Sequence, residues 1–440
     1  MSAAVRDPFD PGNPLCFAPG PLTGILAPLA GKTVVSSLSP DWYRGNDGKS
    51  CVSGHTIMED TFGAVIKVAG FDQLVVTGRS EKPVYLHIND DRIKFLDASH
   101  LWGLGVRETT AKILSENGDP ALKVAVIGPA GENRVTFATL VSSARPIGGR
   151  VGAGAVMGSK NLKAIALKGS TPVPVADPTG LADSYWTFNE AWCLPNPDLM
   201  AHIDRSVACN RKDGSEALWA KSVQFLPLRR IACWSCQISC RQLALGDGAR
   251  AGFSCTIPEI VHYLRTYASG EELTPADVTT LFGVCADLGL DGVVAGILLR
   301  HQRPAVVEWR REALAQFLVG IARKIGVGDR LAAGAPGLDL NRLAAGEDIF
   351  DDPCQEGEPG TGSRRNPLET ALVILDMLGG CRQALCFWDG EDVWNKGFSR
   401  IFEQATGLVL EAAEVKEICG RILQIERVGV EHGRGGEGPK

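Results

Sequence analysis

The chain has 440 residues, of which 45% are hydrophobic and 22% charged, and its formal net charge at pH 7 is −6. This length exceeds one ordinary core and predicts two or three domains. The acidic balance excludes a chain specialised for nucleic acid, because no basic surplus exists to neutralise phosphates. No apolar run reaches the ~18 residues that a membrane span needs, and the N-terminus lacks the apolar segment of a secretory signal. The sequence therefore predicts a cytoplasmic protein.

Residues 1–172 are predicted to form a β-rich domain. Short β-branched runs alternate there with Gly, Pro, Asn and Asp, as in strands joined by turns. The segment 83–98 is predicted to be a hairpin, and 106–117 a helix whose apolar residues recur on one face. The predicted strands are KTVVSSLS (32–39), QLVVTGRS (73–80), PVYLHIND (83–90), RIKFLDA (92–98), LKVAVIG (122–128), RVTFATLV (134–141) and LKAIALKG (162–169).

After residue 172 the predicted elements are mainly helical. We expect one helical domain over 173–335, which carries an array of cysteines, and a C-terminal helical domain over 336–440. A Gly-, Pro- and acid-rich stretch at 344–366 is predicted to be a linker or an exposed loop. The predicted helices are 178–192, 258–268, 274–289, 310–326, 366–379 and 412–430.

The cysteine array consists of Cys233, Cys236 and Cys240, spaced as Cys-x2-Cys-x3-Cys. Three thiolates in one run, with a fourth ligand from elsewhere, are the usual way in which a protein holds a [4Fe–4S] cluster. Structural zinc sites usually pair two separate hooks instead, and a redox dithiol would leave one of the three cysteines without a role. The array therefore favours a cluster, with zinc and a redox or structural role as alternatives.

The fourth ligand must come from another part of the chain. Cys381 follows Gly379-Gly380, where a predicted helix ends and a flexible backbone can aim a thiol. Cys386 and Cys255 are the other candidates, and the chemistry of the residues alone does not decide among the three.

A series of stretches along most of the chain carries a family resemblance. They are FAPGPLTG (17–24), FGAVIKVAGFDQLVVTGRSEKPVYLHI (62–88), DASHLWG (97–103), IGPAGEN (127–133), GAVMGSKNLKAIALKG (154–169), CADLGLD (285–291), IARKIGVGDRLAAG (321–334) and LDMLGGC (375–381). Together with the cysteine array they resemble the tungsten-containing aldehyde:ferredoxin oxidoreductase family. This resemblance implies an α+β fold, in which a β-rich N-terminal domain is followed by two mainly α-helical domains.

The resemblance also implies cofactors and partners. The family binds a tungsten bis-pterin and, close to it, a [4Fe–4S] cluster that passes electrons to ferredoxin or another redox protein. Its cluster ligands are a CxxCxxxC array and the last residue of a D-x-x-G-L-C motif, which match Cys233, Cys236, Cys240 and Cys381 here. The resemblance thus favours Cys381 as the fourth ligand. A homodimer or a partner catalytic chain is a further expectation.

The residues expected to face the pterins belong to four segments of the family. Two of these segments are D-x-x-G-L-[DC] motifs. The third is an early segment whose last residue bridges pterin and cluster, and the fourth is a Gly-rich segment near the pterin phosphates. In this sequence the matching residues are Lys32, Arg150, Gly289, Asp291, Asp376 and Gly379.

Several of these segments depart from the family pattern. The first D-x-x-G motif begins with Ala286 instead of Asp, and Lys32 replaces an Arg, so the charge stays but the planar fork is lost. Val261 stands where the family has a catalytic Glu, and the segment that carries a catalytic His has no counterpart. The neighbouring His262 is the candidate for a substitute general acid, and a packed core histidine is the alternative.

These departures predict an oxidoreductase of the family that keeps the cluster but is not a standard aldehyde oxidase. General acid–base groups typically contribute 10²–10⁴-fold in rate, about as much as their loss would remove. A divergent tungsten or molybdenum pterin site is one hypothesis. A non-catalytic electron-transfer or scaffold subunit is the second, and a pterin-free enzyme that uses the vacated pocket is the third.

Overall fold

The chain is represented by a computed structural model. It describes residues 7–40, 51–142, 145–147, 151–193, 228–239, 241–245, 250–253, 283–291, 367–388 and 392–433. Arg150, Cys240, Cys255 and His262 lie outside these ranges, as do the predicted helices at 258–268 and 310–326 and the predicted linker at 344–366. In the described residues no helix combines the length and apolar character needed to cross a membrane.

The strands of the described residues form three sheets. The first has the order β3-β2-β1-β4, the second β6-β5-β10-β7-β8-β9, and the third β11-β12-β13. The pairing of β10 with β5 is parallel, whereas the other strand pairs are antiparallel. The strands are β1 (Leu15–Pro19), β2 (Lys32–Pro40), β3 (Cys51–Glu59), β4 (Leu74–Val76), β5 (Val84–Asn89), β6 (Arg92–Asp97), β7 (Lys123–Ile127), β8 (Leu140–Ser142), β9 (Arg145–Ile147), β10 (Leu162–Lys168), β11 (Leu228–Ile231), β12 (Arg241–Leu245) and β13 (Arg250–Phe253).

Helices cover the faces of the sheets and make up most of the described C-terminal part. A helical segment at 283–288 leads into the first D-x-x-G motif, which begins at Ala286. The α-helices are α1 (Phe62–Val68), α2 (Val106–Asn117), α3 (Pro129–Glu132), α4 (Ala153–Ser159), α5 (Pro178–Phe188), α6 (Pro367–Leu378), α7 (Ser399–Thr406) and α8 (Ala412–Gly433); short 3-10 helices span Ser99–Leu101 and Arg382–Cys386, and π-helical turns span Asn189–Cys193 and Val393–Phe398.

Most of the predicted elements are confirmed. The hairpin is β5–β6, with Asp90 at a φ of 52° in its turn, and α2 has the predicted bounds. The strand predicted at 134–141 is wrong over most of its length, because Arg134 takes a φ of 54° and the chain turns before β8 begins at Leu140. A left-handed residue cannot continue a strand.

The three-stranded sheet was not predicted. It pairs Ile231 with Arg241, so the segment between these residues, which contains the cysteine array, connects two antiparallel strands. The prediction of mainly helical structure after residue 172 is wrong at this place. The described residues of the three strands, LRRI, RQLAL and RAGF, do not alternate between apolar and polar types, so periodicity does not reveal them.

The apolar core is divided among three clusters of buried side chains. One lies between the first two sheets and includes Phe17, Phe62 and Val156. A second packs α2 on the other side of the six-stranded sheet. The third joins the helices of the C-terminal part to the loop before β2, with Leu22, Leu29 and Leu375 among its members. The N-terminal and C-terminal parts therefore share a core at the loop before β2.

This loop holds the C-terminal end of α6 by backbone hydrogen bonds. The N–H of Leu22 donates to Leu378 O at 3.3 Å, and that of Lys32 donates to Gly379 O at 2.9 Å. In return the N–H of Cys381 donates to Leu29 O at 2.8 Å. We call this set of three bonds the 379 clasp.

The geometry of the clasp requires glycine. Gly379 has a φ of 75° and ends α6 in a Schellman motif, in which Gly380 N donates to Leu375 O at 2.6 Å. A Cβ on Gly379 would lie 2.1 Å from Thr23 Oγ1, and one on Gly20 would lie 2.1 Å from Gly379 N. The two backbones are therefore in direct contact, with no space for side chains between them.

A second turn docks on the N-terminal part in the same way. Gly289, with a φ of 72°, ends the helical segment at 283–288, and Leu290 N donates to Cys285 O at 2.8 Å. Thr139 N donates to Gly289 O at 2.8 Å, and Asp291 N donates to Phe137 O at 3.1 Å. We call these bonds the 289 clasp. Position by position, Gly289 corresponds to Gly379 and Asp291 to Cys381.

Replacing Gly379 by Ala tests how much the 379 clasp stabilises the fold. Gly118 is a matched control, because it also has a positive φ, of 60°, but a Cβ there meets nothing within 4 Å. We expect Gly118→Ala to lower the free energy of unfolding by about 1–2 kcal/mol through backbone strain alone. Gly379→Ala should lower it by at least about 3 kcal/mol, because the backbone contact must also open. Denaturant unfolding measures both, and equal losses would contradict the clasp.

Candidate metal and cofactor site

The cysteine array lies in the turn between β11 and β12. Cys236 N donates to Cys233 O at 3.3 Å, which closes a tight turn around the first two cysteines. Ser235 and Ser239 take φ values of 51° and 50°, a conformation that costs a non-glycine residue free energy and that clusters at ligand-binding loops. Of the array, Cys233 and Cys236 are described and Cys240 is not.

Trp234 attaches this turn to the N-terminal part. Its indole Nε1 donates to Ile25 O at 3.0 Å, and its backbone N–H lies 3.4 Å from Asp60 O. Gly31 packs against it so closely that a Cβ there would lie 2.6 Å from Trp234 O. The turn is thus fixed to the same loop that forms the 379 clasp.

Cys381 is held against the same loop by the hydrogen bond from its N–H to Leu29 O. It is buried, with 6% of its surface exposed. Burial raises the pKa of its thiol to about 12, with Lys32 opposing the rise and Glu59, Cys236 and Cys233 adding to it. Two cysteines of the array are thus near enough to Cys381 to influence its charge, although about 145 residues of sequence separate them.

Lys32 provides the positive charge at this place. Its side chain is buried, and its Nζ lies 2.8 Å from Glu59 Oε1, on the neighbouring strand β3. The same ammonium group opposes the rise that burial causes in the pKa values of Cys236 and Cys381. Because the ordinary pKa of Lys is far above 7, Lys32 brings a positive charge next to the thiols.

Cys233, Cys236 and Cys381 supply thiols, the type of donor that holds iron–sulfur clusters. Burial and the neighbouring Cys233 raise the pKa of Cys236, so that thiol stays protonated until a metal replaces its proton. Within the described ranges, which leave out Cys240, no three His, Cys, Asp or Glu side chains lie close enough to hold one metal ion. A four-iron cluster spreads its ligands around a cube, more widely than one ion does.

Cys193 also lies near the array and was not singled out from the sequence. It ends the π-helical turn after α5, and the pKa of its thiol is raised by burial and by Cys236. No spacing in the sequence connects residue 193 with the array, so only the packing of α5 brings the two together.

Asp376, the first residue of the second D-x-x-G motif, lies three positions before Gly379 of the 379 clasp. Its Oδ2 lies 3.5 Å from Nε2 of His55, on β3. Its Oδ1 is buried and has no hydrogen-bond partner within the part of the chain that the structure describes. His55 was missed in the sequence analysis, although its spacing of four residues from Glu59 puts both side chains on one face of a strand.

The first motif lacks the equivalent carboxylate. Ala286 stands at the position of Asp376, and both are partly exposed. The neighbouring Asp287 does not substitute for it, because its Oδ1 accepts a hydrogen bond at 3.1 Å from Arg107 N at the start of α2. A bis-pterin therefore fits the acceptors at one turn and not at the other.

The structure describes some of the other residues that the sequence analysis assigned to the site and not others. Gly289 and Asp291 belong to the 289 clasp, as Gly379 belongs to the 379 clasp. Arg150 and His262 lie outside the described residues, so their roles stay predictions from the sequence.

Comparison with known proteins gives the family. The sequence model of "Aldehyde ferredoxin oxidoreductase, N-terminal domain" matches residues 1–169. The "Tungsten-containing aldehyde ferredoxin oxidoreductase" of Pyrococcus furiosus is 33% identical over 75% of this chain and 58% of its own length. The "Aliphatic sulfonate oxidoreductase, WOR-like subunit" of the same organism is 29% identical over 74% of this chain and 58% of its own length. The chain thus spans less than two thirds of these relatives.

A solved structure supports the fold. The structure titled "Active site complex BamBC of Benzoyl Coenzyme A reductase in complex with 1,5 Dienoyl-CoA" matches 98% of this chain and 82% of that chain, with a TM-score of 0.72. Its sequence identity of 23% makes this a likeness of fold alone. With the mixed sheets and helices described above, it confirms the α+β class. The chain is a member of the aldehyde ferredoxin oxidoreductase family that spans part of its relatives' length.

Proposed function

We propose that this chain is a [4Fe–4S] cluster-binding oxidoreductase of the family, with Cys233, Cys236, Cys240 and Cys381 as the cluster ligands. The observation that carries the proposal is that Trp234, between Cys233 and Cys236, and Cys381 are all fixed to the same loop before β2, through its residues Ile25, Gly31 and Leu29. Thiols from two distant parts of the chain are thereby held at one loop, and thiolates from such separate segments are the usual ligands of a [4Fe–4S] cluster.

The surrounding residues would tune the cluster. A bound cluster would accept and release one electron at a time, at a potential set by nearby charges, hydrogen bonds and solvent. Lys32 supplies a buried positive charge and Glu59 a negative one beside it. Burial of Cys381 and Cys233 limits the access of solvent to two of the ligands.

Standard aldehyde oxidation is not part of this proposal. A general acid or base and two matched pterin sites would be needed, and Ala286 and Val261 replace residues that the family uses for them. A bound tungsten or molybdenum pterin would supply the two-electron oxidation or reduction of a substrate. The electrons would pass through the cluster to ferredoxin or another redox protein in the cytoplasm.

A role as the electron-transfer or scaffold subunit of a larger complex is the second candidate. Two similarities favour it: one relative is described as a WOR-like subunit, and the solved structure of similar fold is a complex of two kinds of subunit. In that case a partner chain would bind the substrate, and copurification of such a chain with about four irons would support this role.

Iron content tests the ligand set. We expect anaerobically purified protein to contain about four irons per chain and to show a broad absorption band at about 400 nm, as a [4Fe–4S] cluster does. Cys381→Ser and Cys236→Ser should each lower the iron content markedly, because a serine hydroxyl is a poor ligand for iron–sulfur irons.

Two cysteine variants serve as controls for the iron measurement. Cys386→Ser changes the alternative fourth ligand that the sequence left open, and Cys419→Ser changes a buried cysteine in the helical core. Both should keep the iron of the unchanged protein. Full iron in Cys381→Ser, or a loss in Cys386→Ser, would show that the fourth ligand is not Cys381.

Replacing either member of the buried ion pair between Lys32 and Glu59 should shift the midpoint potential of the cluster, in opposite directions for the two residues. Lys32→Met removes a positive charge near the cluster and should make its midpoint potential more negative, whereas Glu59→Gln should make it more positive. Each shift should be on the order of tens of millivolts, since the charges are partly shielded from water. A redox titration followed by electron paramagnetic resonance measures both.

Lys396→Met is the matched control for the potential. This lysine forms an exposed ion pair with Asp392 at 2.7 Å, on the surface, so its removal should leave the potential unchanged. Shifts of the same sign in the two core variants would contradict the placement of the pair beside the cluster.

A further inference from the structure

The 379 and 289 clasps are two copies of one backbone arrangement with different side chains. Each has a left-handed glycine whose carbonyl accepts an N–H from the N-terminal part, and a residue two positions later whose N–H is donated back. Gly20 and Gly128 pack on the two turns in the same manner, since a Cβ on either would lie within 2.3 Å of the backbone that precedes the glycine. Each turn therefore presents the side chain three positions before its glycine in an equivalent place.

At the 379 clasp this side chain is a charged acceptor. Oδ1 of Asp376 is buried without a partner in the described residues, and leaving a charged acceptor unpaired is costly. Oδ2 faces Nε2 of His55 at 3.5 Å, and His55 is 37% exposed, so the pair is open on one side. A planar ring with N–H donors along one edge is the chemistry that satisfies such a carboxylate.

At the 289 clasp the place that corresponds to Asp376 offers no charge, and the carboxylate of Asp291 corresponds instead to Cys381. Ala286 has no polar side-chain atom, and Asp287 is directed to the start of α2, where Nε of Arg107 lies 3.7 Å from its Oδ1. The buried hydroxyl of Thr139 is unpartnered within the described ranges. A neutral hydroxyl makes a weaker hydrogen bond than a carboxylate does, so the two turns do not offer equal sites.

We infer that this chain binds one pterin-type heterocycle, with its N–H edge on Asp376, and not the pair that a symmetric cradle would hold. The asymmetry rests on the difference between Asp376 and Ala286 in matching backbone positions. This inference rests on the proposed function only in that both assume a cofactor site of the aldehyde ferredoxin oxidoreductase family. It concerns the occupancy of the cradle, whereas the proposed function concerns the cluster, and separate measurements report on the two.

The number of pterins per chain tests the inference. The full chain would be produced anaerobically in a host that makes tungstopterin from tungstate. Released pterin would be oxidised to its fluorescent form and counted against iron. We expect about one pterin for every four irons. Asp376→Asn should lower the pterin content at least about tenfold and leave the iron unchanged, because an amide replaces a charged acceptor with a neutral one.

Ala286→Asp is the reciprocal variant. It should raise the pterin content from about one toward two per chain, because it restores an acceptor in a backbone place that already exists. Asp392→Asn changes an exposed, ion-paired carboxylate and should leave both pterin and iron unchanged. His55→Gln should lower the pterin content by a smaller factor than Asp376→Asn, since it acts through the orientation of Asp376.

Three results would overturn the inference. They are two pterins per four irons in the unchanged protein, no pterin while iron is complete, or full pterin in Asp376→Asn. Iron content and circular dichroism of each variant show whether it has folded, so a folding failure is recognised as such. Loss of iron from the unchanged protein would instead contradict the proposed function.

Discussion

The rest of the site depends on the 379 clasp, the backbone contact between the loop before β2 and the C-terminal end of α6. Three hydrogen bonds and the absence of side chains at Gly20 and Gly379 hold Cys381 against that loop. The cysteine array is fixed to the same loop through Trp234 and Gly31. One short segment therefore sets the positions of thiols from two distant parts of the sequence, and the array and Cys381 approach each other because both are bound to it.

Charge is distributed around this segment in a definite order. Lys32 is near enough to Cys236 and Cys381 to influence the pKa of their thiols, and Glu59 Oε1 lies 2.8 Å from its ammonium nitrogen. Farther along β3, His55 faces Asp376. Each of these carboxylates thus has a basic partner. A metal that binds the buried thiols would displace their protons, and Lys32 would then lie near negatively charged ligands.

The two clasps share a backbone geometry but not a chemistry. Selection for the fold alone explains the glycines, which the left-handed turns and the close backbone approach require. It does not explain why one turn carries Asp376 and Cys381 and the other Ala286 and Asp291. The side chains at those four positions make the two turns chemically unequal.

The sequence by itself determined the family, the α+β class, most strands of the first domain, the bounds of α2 and the candidate ligands. These are local patterns of period, turn residues and motif spacing. Tertiary structure decided the rest. The short strands around the array, the neighbours Cys193 and His55, and the role of Asp287 at α2 depend on contacts between distant segments, for which a single sequence has no local signal. The equivalence of the two clasps likewise became visible only in hydrogen bonds to the N-terminal part, since backbone pairing leaves no mark on residue type except at glycine.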